Sequence, residues 1–172
     1  MPMVYRKFPA LKGKSLPDIA LLVQPSMGLG ARLCGRALKK GEAASVYGGA
    51  YVPRSDTGRM RSLFPSRYGV SVIGVKGFDE AFVCDAAQTP ERPFKWFIDN
   101  RNAGPFMNGR RGVGLDINCD LDRSSAWLDE EGGVWFLLKA NRDIEEGEWL
   151  MWNYDWTAGA GIVIPGLTFA FD

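Results

Sequence analysis

Apolar residues along this chain gather in short runs separated by glycine, proline and charged turns. Ile19 to Val23, Leu33 to Leu38 and Ala43 to Val52 have strand length, the last two flanking a Lys39-Lys40-Gly41-Glu42 turn. Gln24 to Gly30 reads as a glycine-containing loop. Gly69 to Val75 and Glu80 to Cys84 predict a hairpin around Lys76 to Asp79, and Phe94 to Ile98 a short strand or helical turn. Leu115 to Leu121 and Val134 to Leu138 read as paired strands connected by SSAWLDEEGG. The apolar run extends to Ala140. A polar turn over Asp143 to Gly147 then leads into a second aromatic and apolar run, Glu148 to Tyr154, as in a hairpin.

The remaining stretches predict little regular structure. Residues 1–18 are basic and broken by Pro2, Pro9 and Pro17, which suits an arm or peripheral segment. Residues 53–68 form a polar insert, and Asp99 to Gly114 reads as an irregular exposed loop. Residues 157–172 end in IVIPGLTFAF, apolar enough to dock back on the body as a closing segment. No internal repeat or low-complexity tract stands out.

Composition narrows the chemistry. At 172 residues the chain suits one domain with a core of its own. No apolar run reaches the roughly 18 residues of a membrane span, and a signal-peptide core is not evident. Cys34, Cys84 and Cys119 are widely spaced and odd in number, which favours a reduced intracellular compartment, nuclear or cytoplasmic, over a disulfide framework. Histidine is absent, so histidine-based triads, general bases and metal ligands are excluded, and no metal site is expected.

Charge is divided unevenly. Residues 1–80 carry 13 Lys and Arg against 5 Asp and Glu, and residues 81–172 carry 8 against 15. Two self-neutralising faces are the ordinary outcome, although an acidic second half also suits a lysine-rich peptide. The basic residues are too dispersed to indicate nucleic acid. A small nucleic-acid-binding β-barrel would rest on them alone.

Trp149, Trp152, Tyr154 and Trp156 fall within eight residues. Taken singly, each reads first as a core anchor. Their setting, N-R-D-I-E-E-G-E-W-L followed by N-Y-D, resembles the C-terminal signature of SET-domain lysine methyltransferases. Arg142, Asp143, Ile144, Gly147, Glu148, Leu150, Tyr154 and Asp155 stand in matching places. G-L-G at Gly28 to Gly30, L-K-K-G-E ending at Glu42, and Tyr47 with Gly49 are similar to the N-terminal signature of the same family. Ala50 stands where an acidic residue is usual.

The middle of the chain is more divergent. In one register Phe106-Met107-Asn108 matches the family's F-I-N, with Gly109 in place of its histidine. In the other, Phe97-Ile98 take that place and Asp99 or Asn100 replaces the asparagine. An Asn-Cys pair follows at Asn118-Cys119, and the family's usual arginine and histidine are missing in both registers.

The resemblance implies a mostly β fold with short helical turns, the β-clip architecture of SET domains, whose C-terminal segment is threaded as a pseudoknot. It also implies transfer of a methyl group from S-adenosylmethionine to the neutral side-chain amine of a lysine-containing protein or peptide, histone tails included. Tyr154 would be the catalytic hydroxyl. Gly28, Leu29 and Gly30, with Asn100 or Asn108, would bind the cofactor, and Tyr47, Trp152 and Trp156 would line the lysine channel. Desolvation in an aromatic channel lowers an amine's pKa, and π faces tolerate the methylated cation. A non-catalytic SET-like module that binds a peptide or partner is the alternative.

Overall fold

The computed structural model describes residues 7–25, 28–53, 69–72, 75–79, 81–85, 102–107 and 117–152. They form two antiparallel sheets with almost no helix, as the short apolar runs anticipate. No helix among them is long and apolar enough to cross a membrane.

The smaller sheet begins with a hairpin of β1 (Asp18–Gln24) and β2 (Gly28–Cys34), in register from Asp18 opposite Cys34 to Gln24 opposite Gly28. The larger sheet contains β3 (Ala43–Pro53), β4 (Gly69–Ser71), β5 (Phe82–Asp85), β6 (Cys119–Leu128) and β7 (Gly133–Ala140). Its strand order is β4-β5-β3-β7-β6. The chain then returns to the smaller sheet, where β8 (Trp149–Leu150) pairs with β2.

That return overturns the expected hairpin of residues 134–154. Both strands exist, but the acidic turn carries the chain from one sheet to the other, so β7 and β8 never pair. Two shorter differences also follow from pairing. The Gly28-Leu29-Gly30 segment is strand, not loop, because it pairs with Leu22 to Gln24. SSAWL extends β6, leaving Asp129 to Gly132 as the turn before β7. There Asp129 Oδ1 accepts from the Glu131 and Gly133 amides, and Oδ2 accepts from Trp135 Nε1 at 2.7 Å.

The period of two along β7 assigns its side chains to two different layers. Val134, Phe136, Leu138 and Ala140 enter a core shared with Tyr47 of β3 and with Ile19, Leu33 and Leu150 of the smaller sheet. Trp135 and Leu137 face the other way, where Phe8, Leu11, Val46 and Ala50 cover them. A strand buried on both faces must be a continuous apolar run, which Val134 to Leu138 is. The N-terminal segment thus acts as a cover: a short 3-10 turn at Pro9–Leu11 docks Phe8, whose ring stacks on Trp127 at 5.7 Å. Gly48 sits opposite Trp135, and a Cβ there would lie 2.2 Å from the indole.

Candidate functional site

β2 and β8 come from opposite ends of the chain, and the fold brings them into contact. Ala31 and Arg32 of β2 pair with Leu150 and Trp149 of β8. The Arg32 guanidinium donates to the Gly147 carbonyl at 2.7 Å and lies 5.9 Å over the Trp149 ring.

The contact is organised by two turns of the same construction. Arg36 to Glu42 and Arg142 to Glu148 both read R-x-(L/I)-x-x-G-E, a short repeat that hydropathy alone leaves hidden. Leu38 and Ile144 occupy its third position, and each donates its amide to the other's carbonyl at 2.8 Å. Gly41 and Gly147 both adopt φ +89°, the left-handed conformation each turn needs. The glutamate that follows folds back on its own turn: Glu42 Oε2 accepts from the Lys39 amide, and Glu148 Oε2 from the Glu145 amide, both at 2.6 Å. Each also meets its own arginine, Arg36 at 3.6 Å and Arg142 at 3.2 Å. The Arg142 and Glu145 hydrogen bonds hold the Glu148 carboxyl below the usual range. Asp143, hydrogen-bonded by the Lys40 amide and close to Lys39, is lowered as well. Glycine and charged residues mark both turns in the sequence; that they clasp one another is a tertiary fact.

Beyond this joint the residues assigned to a channel meet. Tyr47 and Trp152 stand edge to face with centroids 5.6 Å apart, and both are buried, at 1% and 2% exposure. They form a closed pair within the core that spans both sheets. Trp152 is held by a parallel bridge to Cys119. Burial, reinforced by Asp120, pushes the Cys119 thiol up to about 12, so it stays a neutral, inert packing group.

Gly28, Leu29 and Gly30 lie along the edge of β2 that faces β8, past the point where β8 stops at Leu150. No other described strand pairs with that edge, and the two glycines bring no side chain to it. A ligand held through backbone groups fits such an edge. Tyr154, Trp156, Asn100 and Asn108 lie outside the described residues.

Two residues without an assigned role prove central to the geometry. Asn102 and Asn118 are each 1% exposed, in segments without regular structure. Asn102 exchanges two hydrogen bonds with the backbone of Gly48, and Asn118 two with Trp149 and Met151. The described part of the loop expected to be exposed is accordingly buried, from Asn102 to Pro105 and at Met107. Glycine and asparagine signal an irregular path equally well for a solvated loop and for one plugged into a sheet, so composition does not separate the two.

No family model matches the chain, and no curated protein matches it.

Proposed function

We propose that this chain is an S-adenosylmethionine-dependent protein lysine N-methyltransferase of the SET type, built on that family's β-clip architecture. The observation that carries the reading is the meeting of Tyr47 with Trp152 in the core that the two sheets share. Tyr47 and Trp152, far apart in the chain, are thereby in contact.

S-adenosylmethionine would supply an activated methyl group on its sulfonium. Backbone groups of Gly28, Leu29 and Gly30 would hold its methionine end, and Asn108 or Asn100 its adenine side. The lysine substrate must present a neutral amine, and a water-free aromatic wall of Tyr47 and Trp152 would favour that form by desolvation. Tyr154, two residues beyond Trp152, would orient the amine through its hydroxyl.

A second reading draws on the same pair. Tyr47 and Trp152 are closed on one another, as in a core, and this favours a SET-like module that binds a peptide or partner without catalysis. Cofactor binding separates the two. Calorimetry with S-adenosylmethionine should give saturable heat and a raised melting temperature. No heat and no shift at high cofactor concentration would remove the enzymatic reading and leave the second.

A further inference from the structure

The side chains of Asn102 and Asn118 act where the described strand partners run out. On one side of β3 the pairing with β7 continues through Gly48, opposite Trp135. On the other side, β5 pairs only with residues from Ala50 to Pro53. At Gly48 that second side is filled by Asn102, whose Oδ1 accepts from the Gly48 amide at 2.8 Å and whose Nδ2 donates to the Gly48 carbonyl at 3.2 Å. One side-chain amide thus stands in for a strand residue. The Asn102 segment is anchored in turn by the Ala103 amide, which donates to Ser45 Oγ at 3.1 Å.

Asn118 does the same where β8 ends. Its Nδ2 donates to the Trp149 carbonyl and its Oδ1 accepts from the Met151 amide, both at 2.8 Å, so it brackets Leu150. Backbone amides of Asn118 and Cys119 both donate to the Met151 carbonyl. The orientation of both asparagine amides is determined by their partners, since a backbone N–H can only donate and a carbonyl only accept.

Gly48 directly follows Tyr47, and Met151 directly precedes Trp152. Each asparagine therefore holds the backbone next to one ring of the buried pair. We propose that Asn102 and Asn118 are positioning residues that set the distance and tilt between Tyr47 and Trp152. A backbone held on both sides cannot rotate to swing its neighbouring ring, whereas a backbone bonded on one side retains that freedom. The inferred effect on methyl transfer rests on the function proposed above; the effect on the rings does not.

The test uses Asn102→Asp and Asn118→Asp, which keep the accepting oxygen and remove the donor. Leu137→Ala, on the opposite face of β7, serves as a destabilised control. The readouts are the near-ultraviolet dichroism that Trp152→Phe abolishes, and kcat and KM with S-adenosylmethionine and a lysine-rich peptide mixture. Both asparagine variants should alter the dichroism and lower kcat roughly tenfold or more, with KM for the peptide little changed. Leu137→Ala should lower the melting temperature and leave the dichroism intact. Folded asparagine variants with wild-type dichroism overturn the proposal, as does an equal change in the control. Should both variants fail to fold, amide exchange in the wild-type protein decides. Gly48 and Met151 must then be protected as strongly as the amides of β7, and faster exchange at either overturns the proposal. Altered dichroism in a protein with no transferase activity supports the positioning and counts against the methyltransferase reading.

Discussion

Leu38 and Ile144 exchange both of their backbone hydrogen bonds, at 2.8 Å each, from the centres of two turns that share one sequence pattern. The pair is buried, at 1% and 0% exposure, and joins the segment entering β3 to the segment leaving β7. Around it, the two arginine–glutamate pairs repeat one local design on each side.

That design makes Gly41 and Gly147 comparable. A Cβ at Gly41 would meet nothing within 4 Å, and at Gly147 it would come only to ordinary contact with the Arg32 guanidinium. Conformational strain is then the whole cost, about 1–2 kcal/mol for alanine at either position. Urea denaturation of the two variants should give similar losses. A loss confined to one of them would show that the turns are not equivalent in energy.

Gly48→Ala is a different kind of change. Its Cβ would sit within 2.2 Å of the Trp135 ring, which Phe8, Leu11 and Leu137 enclose. Overpacking of this kind costs about 1–3 kcal/mol or more, so melting should drop further than for either turn glycine. An unchanged melting temperature would mean that the indole has room to move.

The clasp also predicts acid sensitivity. Glu148, paired with Arg142, and Asp143, bonded by the Lys40 amide, both have carboxyls lowered in the folded state. Asp122 is lowered too: burial opposes its ionisation, but hydrogen bonds from Lys139 and Ser124 prevail. A lowered folded pKa gives stability that is present above the unfolded carboxylate range and lost as pH falls through the folded value. Unfolding free energy should therefore decline below the ordinary carboxylate range, with a shallower decline in Glu148→Gln. An equally steep decline in that variant would show that Glu148 contributes nothing to the acid response.

Cysteine reactivity offers a check on burial. Cys119 is buried with its thiol pushed up to about 12, and Cys84 is buried, whereas Cys34 is partly exposed. An aromatic disulfide reagent at neutral pH should modify Cys34 in the native protein and reach the others only on unfolding. Rapid modification of Cys119 would contradict the packing of Trp152 against it.

Tyr154→Phe addresses the chemistry. Removing the hydroxyl while keeping the ring should lower methyl transfer by about a hundredfold if it orients the amine. Stability should change by no more than about 0.5–1.5 kcal/mol. Full activity would show that Tyr154 is not the aligning residue.

Local structure was legible in the order of residues alone. Short apolar runs bounded by glycine and charge specified strands, because a strand needs only its own alternation or continuity and a turn on either side. The turns ending at Glu42 and at Gly147 were legible from their glycine and charged residues, and Gly41 and Gly147 both take the left-handed conformation. Which strands pair depends on contacts distant in the chain. The run from Val134 to Tyr154 reads as a hairpin, but the same turn chemistry serves a passage between sheets, and β7 and β8 lie in different sheets. The choice comes from packing: β7, hydrogen-bonded between β3 and β6, buries its two faces in two core layers, and Trp149 and Leu150 find their backbone partner in β2. The roles of Asn102 and Asn118 were invisible for the same reason. An asparagine that replaces a missing strand is defined by a gap in a sheet, and that gap exists only once the sheets have formed.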